Sequence, residues 1–80
     1  MPLDEIKPAA TLDTRGLSCP MPLLKAKQVM EQLSPGEVLE IIGTDPGSRV
    51  DLPAWSKYAG HTFLKSTEQG GAFKFYIKKG

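Results

Sequence analysis

The fold of this chain is organised around one stretch, Arg15-Gly16-Leu17-Ser18-Cys19-Pro20-Met21-Pro22, which holds its only cysteine. A glycine turn precedes the cysteine, and the residues that follow it repeat with the period of a helix. Two prolines so close together would break a helix interior, but the N–H groups of a first turn have no partner within the helix. The pattern therefore predicts that Cys19 is a helix N-cap, that Pro20 is the first helical residue, and that Pro22 still lies in the first turn.

A cysteine at this place can be reactive. The positive end of the helix dipole favours a thiolate, and cysteines at helix N-termini can have lowered pKa values. We expect the backbone N–H groups of Met21 and Leu23 to point towards the sulfur. The alternative is a buried, inert cysteine, which composition alone favours for a small chain with one thiol. The surrounding prolines reverse that preference, because a core cysteine needs no prolines around it.

Length and composition bound the remaining interpretation. The 80 residues make one domain with a small core, and a formal net charge of +1 implies no bulk attraction to nucleic acid or membranes. One cysteine cannot form an internal disulfide, which fits a reducing compartment. The first ten residues lack a secretory pattern, and no later stretch is apolar enough to span a membrane. We therefore predict a cytoplasmic protein with a flexible lead-in at residues 1–9 and a single domain at residues 10–80.

Hydrophobic periodicity predicts six elements, namely strands at residues 10–14, 38–42, 61–67 and 72–78 and helices at residues 20–33 and 48–59. In the second helix, Pro53 suggests that the regular part starts only near Asp51, with Ser48 as a candidate N-cap. The apolar side of that helix is predicted to consist of Val50, Leu52, Trp55 and Tyr58.

The order β-α-β-α-β-β predicts an α+β fold. It is a two-layer α/β sandwich, with two helices on one face of a four-stranded mixed sheet. The first strand, first helix and second strand should form a βαβ unit with parallel strands. The other face of the sheet would be open and would present Lys74, Tyr76 and Lys78.

The pattern Asp13-x-x-Gly16-Leu17-x-Cys19-Pro20-x-Pro22 resembles the signature of the TusA, or SirA-like, family of sulfur-carrier proteins. The resemblance continues through Pro35-Gly36-Glu37, Asp45-Pro46, Asp51-x-Pro53 and Gly60-His61, and covers nearly the whole chain. It implies a small cytoplasmic protein with the sandwich fold described above. It also implies that Cys19 accepts sulfane sulfur as a persulfide and passes it to an acceptor protein.

The resemblance further implies partners and supporting residues. The sulfur donor would be a cysteine desulfurase or a rhodanese-type protein, and the acceptor a DsrE-type or other protein. The pathway would be tRNA 2-thiolation, molybdenum-cofactor supply or sulfur oxidation. Such a chain is a stoichiometric carrier rather than a true catalyst, binds no cofactor or metal, and is expected to be a monomer.

Five residues around Cys19 are expected to support it, namely Arg15, Gly16, Pro20, Met21 and Pro22. We expect the N–H groups of the first helical turn to stabilise the sulfur anion. Arg15 would help electrostatically or contact partners, and Gly16 would permit the turn that exposes the sulfur. Asp13 is expected to bond the backbone of that turn rather than to act in acid–base chemistry.

Two other functions remain open at this point. The open sheet face could bind single-stranded RNA through its lysines and tyrosine, although the net charge argues against direct nucleic-acid binding. Alternatively, Cys19 could be a redox-sensing thiol in a regulatory interaction domain. Nothing in the sequence places His61 near Cys19, and one histidine with one cysteine is too few ligands for a metal site. A structural hydrogen bond at the start of a strand is the expected role of His61.

Overall fold

The computed structural model describes residues 7–18 and 20–80. The elements in chain order are β1 (Ala10–Thr14), α1 (Met21–Glu31), β2 (Val38–Gly43), α2 (Ser48–Tyr58), β3 (Thr62–Gln69) and β4 (Ala72–Lys78). This is the predicted β-α-β-α-β-β order. The part of the predicted flexible lead-in that covers residues 1–6 lies outside the described residues. Ala9 already continues the sheet, because its N–H donates to the Val38 carbonyl at 2.7 Å.

The four strands form one mixed sheet in the order β1-β2-β4-β3. β1 and β2 are parallel, with Leu12 opposite Ile41, as expected when a helix connects them. β4 is antiparallel to both of its neighbours, β2 and β3. β2 is therefore an inner strand of the sheet, in keeping with the aliphatic residues on both of its faces.

The core lies between the sheet and the two helices. Its buried apolar side chains are Ala26 and Met30 from α1, Leu39 and Ile41 from β2, Leu52 from α2, and Phe73, Phe75 and Ile77 from β4. The alternating pattern of β4 sends its phenylalanines and isoleucine to the helix side and its lysines and tyrosine to the other. Both helices thus cover the same face, and the expected two-layer sandwich is confirmed.

The starts of both helices differ in detail from the predictions. The N-cap of α1 is Pro20 rather than Cys19, and the helix starts at Met21, which places Pro22 at its second position. α2 starts at Ser48 rather than near Asp51, with Gly47 as its N-cap and Pro53 in its interior. A proline there removes one helical hydrogen bond, which would have gone to Arg49. Arg49 is exposed, so water can reach this turn of the helix.

The buried side of α2 also differs from the prediction. Val50 is 70% exposed and Tyr58 is 93% exposed, so neither belongs to the core. The side of α2 that packs inward carries Ser48, Leu52 and Ser56, each about one helical turn after the one before. The hydroxyl of Ser56 donates to the Pro53 carbonyl at 2.9 Å, so a polar side chain is accommodated there. Hydrophobicity alone could not identify this serine-containing face.

A β-bulge between Phe63 and Lys65 explains the irregular pattern of β3. Phe63 pairs with Ile77 on the helix side, and Lys65 pairs with Tyr76 on the open side. The extra residue, Leu64, is left unpaired and shifts the register by one residue, so two adjacent apolar residues can occur in one strand.

Candidate functional site

The predicted site lies where β1 and β2 end. Because these strands are parallel, the loop to α1 and the loop to α2 leave the sheet at the same end of the strands. Ser18 and Pro20, the chain neighbours of Cys19, are both exposed in the first of these loops. Cys19 itself lies outside the described residues, so its predicted exposure and thiolate character remain predictions.

The turn before Cys19 is held by its own backbone and by Asp13. The Asp13 carboxylate accepts the Arg15 N–H at 3.0 Å, and the Thr14 carbonyl accepts the Leu17 N–H at 3.1 Å. Gly16 has a φ of +81°, a left-handed conformation that side chains disfavour. The turn-forming roles predicted for Asp13 and Gly16 agree with this geometry.

The guanidinium of Arg15 folds back onto Asp13. Its Nη2 lies 2.8 Å from Asp13 Oδ2, and both side chains remain more than half exposed, at 61% and 51%. The side-chain hydrogen bond from Arg15, followed by the backbone one, lowers the pKa of Asp13 to about 2. The positive charge of Arg15 is therefore matched by a carboxylate beside it. This pairing leaves partner contact better supported than electrostatic help as the role of Arg15.

The N–H groups at the start of α1 are the predicted stabilisers of the sulfur anion. The Met21 N–H donates to the Ser18 carbonyl at 3.0 Å, so it already has a backbone acceptor within the loop. Its orientation relative to the sulfur remains a prediction, because Cys19 lies outside the described residues. Pro20 and Pro22 have no N–H to offer, and Pro22 is buried under the helix. The first turn of α1 contains no acidic residue, so no carboxylate of that turn opposes a thiolate.

A second loop reaches the same turn. The Gly16 N–H donates to Thr44 Oγ1 at 3.1 Å, although the two residues are 28 positions apart in the chain. Just below, the Thr14 hydroxyl donates to the Ile42 carbonyl at 2.8 Å and is almost fully buried. Neither threonine stands out in the sequence as a functional residue. Thr44 stands in a cluster of turn residues, and only strand pairing brings it to Gly16.

Exposed apolar side chains lie at the starts of the two helices, beside these loops. Met21 is 42% exposed and Leu24 44% exposed on the first turns of α1, and Val50 is exposed on the first turn of α2. Leu24 lies one turn beyond Pro20, whose carbonyl accepts its N–H at 3.0 Å. Hydrophobic periodicity predicts Val50 on the apolar side of α2, but it does not tell which border of an apolar stripe is covered.

His61 lies at the opposite end of the strands from the loop before α1. It follows α2 and precedes β3, and therefore lies about one strand length from that loop. A six-residue strand that rises about 3.3 Å per residue is about 20 Å long. Its N–H donates to the Ser56 carbonyl at 2.7 Å, its Nδ1 accepts the Gly80 N–H at 3.0 Å, and its ring contacts Trp55 edge-on. The expected structural role is confirmed, and a Cys–His pair is not supported.

The stability of the fold is expected to fall between pH 7.5 and pH 5.5 through His61. Burial, and then the nearby positive charge of Lys79, lower the pKa of His61 below 6.5. The folded state therefore binds a proton on the His61 ring less readily than the unfolded state does. Protonation of His61 favours the unfolded state, and stability is lost as pH falls through 6.5. His61→Asn keeps an acceptor for Gly80 but cannot titrate, so urea unfolding at the two pH values should differ less in the variant. Equal pH dependence in both proteins would exclude His61 as the source.

The open sheet face carries the predicted Lys74, Tyr76 and Lys78, but Tyr76 is already engaged. Its hydroxyl donates to Glu40 Oε2 at 2.6 Å, and this bond is the first cause that raises the pKa of Tyr76 to about 12. The Lys65 ammonium lies 5.4 Å from the centre of the Tyr76 ring. A base could stack on this ring only by displacing Lys65, which weakens the RNA-binding hypothesis.

Two further features are absent from the part of the chain that the structure describes. Neither helix there is long and apolar enough to cross a membrane. Residues 7–18 and 20–80 also contain no group of three or more side chains that could hold a metal ion.

The comparisons with known proteins place the chain in a family. The model of the family described as Sulfurtransferase TusA matches residues 10–79. The sulfur carrier protein TusA of Allochromatium vinosum is 48% identical over 68 residues, which are 85% of this chain and 90% of that protein. The sulfur carrier protein TusA of Pseudomonas putida (strain GB-1) is 36% identical over 77 residues, which are 96% of each chain.

A solved structure agrees with this assignment. The crystal structure of a SirA-like protein from Desulfitobacterium hafniense superposes with a TM-score of 0.80 at 26% identity, covering 89% of this chain and 97% of the other. The fold and the sequence motif thus define a small two-layer protein of the SirA-like class. The chain belongs to the TusA family.

Proposed function

We propose that this protein is a sulfur carrier in a sulfur relay and that it holds sulfane sulfur as a persulfide on Cys19. The observation that carries the proposal is family membership over nearly the whole chain, with relatives named as sulfur carrier proteins. The motif cysteine of this chain is also its only one. A persulfide on Cys19 therefore has no second thiol in the same chain to attack it and release sulfide.

The chemistry is two thiol–persulfide exchanges. The Cys19 thiolate attacks the outer sulfur of the donor's persulfide, the donor's S–S bond breaks, and the donor's thiolate leaves. The new S–S bond on Cys19 is attacked in turn by the acceptor at its outer sulfur, which restores the Cys19 thiolate. No net oxidant, cofactor or metal is needed, so the protein is a stoichiometric carrier with sulfurtransferase-type chemistry rather than a true catalyst.

The residues around Cys19 support this role in different ways. Gly16 allows the left-handed turn before the cysteine, and Pro20 and Pro22 define the start of α1. Met21 exposes its side chain beside the loop, and Arg15 is exposed in its pair with Asp13. We assign Met21 and Arg15 to partner contact.

The donor that we propose is a cysteine desulfurase or a rhodanese-type protein, and the acceptor a DsrE-type or other protein. The pathway is tRNA 2-thiolation, molybdenum-cofactor supply or sulfur oxidation. We further propose that the carrier acts as a cytoplasmic monomer through a single domain at residues 10–80.

Intact-protein mass spectrometry tests the proposal directly. The protein is incubated with cysteine and a cysteine desulfurase, with a thiosulfate-charged rhodanese, or with polysulfide, and a second spectrum follows reduction. The expected result is a gain of one sulfur that the reductant reverses. Failure with every donor would contradict the carrier function and favour the redox-regulatory alternative, in which oxidants alone should change partner binding.

Leu24→Asp is expected to slow loading from a protein donor several-fold, while loading from polysulfide stays unchanged. A partner that reaches the loop would bury the exposed Leu24, and truncating an interface anchor often costs more than about 1 kcal/mol, or about fivefold. The rate of sulfur gain measured by mass spectrometry gives both values.

The matched control for that experiment is Tyr58→Asp. Tyr58 is 93% exposed at the far end of α2, away from the loop. Equal slowing in both variants, or slower loading of Leu24→Asp from polysulfide as well, would show that Leu24 does not contact the donor.

A further inference from the structure

The turn before Cys19 is tied to a second loop by one side chain. The Gly16 N–H donates to Thr44 Oγ1 at 3.1 Å. Gly16 has no side chain, so its backbone has more accessible conformations than that of any other residue type. It uses this freedom, because its φ is +81°. A hydrogen bond at this residue therefore restricts the most adaptable point of the turn.

Thr44 starts from a well-fixed backbone on the β2 side. It directly follows Gly43, which is buried at the end of β2 and pairs with Thr14 of β1. A Cβ atom on Gly43 would lie 2.8 Å from Thr14 Oγ1, so the close approach of the two strand ends depends on glycine here. The Thr14 hydroxyl completes the connection by donating to the Ile42 carbonyl at 2.8 Å.

The backbone after Thr44 is fixed as well. The Asp45 carboxylate accepts the Gly47 N–H at 3.2 Å, and the Asp45 carbonyl accepts the Ser48 N–H at 3.1 Å. These bonds attach the loop to the first turn of α2. Thr44 is therefore held between β2 and α2, and its hydroxyl presents a rigid acceptor to Gly16.

We propose that Thr44 is a positioning residue for Cys19, because it holds the Gly16 turn from which the cysteine loop continues. It acts through the Gly16 backbone, three residues before the cysteine, and not on the sulfur itself. The proposal deepens the sulfur-carrier function and rests on it for the transfer step alone. The Gly16–Thr44 hydrogen bond is present in the free protein whether or not sulfur is carried.

Two substitutions at this position separate the hydroxyl from the rest of the side chain. Thr44→Val keeps the shape but removes the acceptor, and Thr44→Ser keeps the acceptor. Thr67→Val is the matched control, since Thr67 is exposed on the edge strand β3, away from the turn. Urea unfolding of all variants shows whether a change in reactivity merely follows a loss of stability.

The first readout needs no sulfur donor. The rate of Cys19 alkylation by iodoacetamide is measured against pH, and the second readout is the rate of sulfur gain from a charged donor. In Thr44→Val we expect the midpoint of the alkylation profile to move to higher pH and sulfur transfer to slow about three- to tenfold, the range for one lost hydrogen bond. Thr44→Ser and Thr67→Val should resemble the unaltered protein.

Two outcomes would overturn the proposal. One is an unchanged alkylation profile in Thr44→Val, and the other is a Thr44→Ser variant that behaves like Thr44→Val. A failure of the carrier function has a different signature, because the unaltered protein would then gain no sulfur from any donor while the alkylation profile of Thr44→Val still shifts.

Discussion

Cys19→Ser should abolish sulfur loading completely and leave the fold intact. A serine hydroxyl cannot form a persulfide, and the substitution replaces one atom in the chain's only thiol side chain. Intact mass after incubation with cysteine and a cysteine desulfurase should therefore show no added sulfur, whereas the unaltered protein gains one. Circular dichroism and urea unfolding should be nearly superimposable for the two proteins.

The control for this result is Ser18→Ala, which changes the exposed residue directly before the cysteine and keeps the thiol. It should still be loaded. Reductant-sensitive sulfur on Cys19→Ser would contradict the carrier role of this residue, since no other side chain of the chain is a thiol.

Phe75→Ala should have the largest effect on stability, a loss of about 3–5 kcal/mol in the free energy of unfolding. Phe75 is 1% exposed in the middle of β4, and its ring lies 6.3 Å from that of Phe63 and 6.2 Å from that of Phe73. Small domains have total stabilities of about 5–15 kcal/mol, so the variant should unfold at much lower urea concentration. Equilibrium urea unfolding measures the difference.

Tyr76→Phe is the matched control, because Tyr76 is the next residue on the opposite face of the same strand. It loses the hydroxyl bond to Glu40 but no core volume, and the expected cost is about 0.5–1.5 kcal/mol. A loss as large as that of Phe75→Ala would mean that the Tyr76 hydroxyl contributes as much to stability as the core side chain, contrary to the geometry.

The sequence predicted the elements well and their ends less well. Alternation in β4 and the three- and four-residue spacing in α1 are local signals, and both elements occur where expected. The range predicted for α2 begins at Ser48, as observed, but the expectation that its regular part starts only near Asp51 is wrong, because the helix keeps Pro53 in its interior. The exposed Val50 and Tyr58 were assigned to the core because the small buried serines of α2 carry no hydrophobic signal.

The site shows the same division. The motif around Cys19 predicted the family and the glycine turn correctly, because those properties depend on residue type and on neighbours in the chain. It did not predict that the Met21 N–H donates to the Ser18 carbonyl, because the exact start of α1 depends on the backbone geometry of the loop.

The amino-acid sequence by itself determined the six elements, the two-layer class and the single thiol on which the proposed function rests. Only the tertiary structure decided that Thr44 accepts the Gly16 N–H and that Glu40 accepts the Tyr76 hydroxyl. It also decided that His61 lies at the end of the strands opposite the cysteine loop. The physical reason is that helix and strand preferences act over a few residues. Contacts between residues 28 or 36 positions apart, as in the first two pairs, exist only after the sheet has set the order and register of its strands.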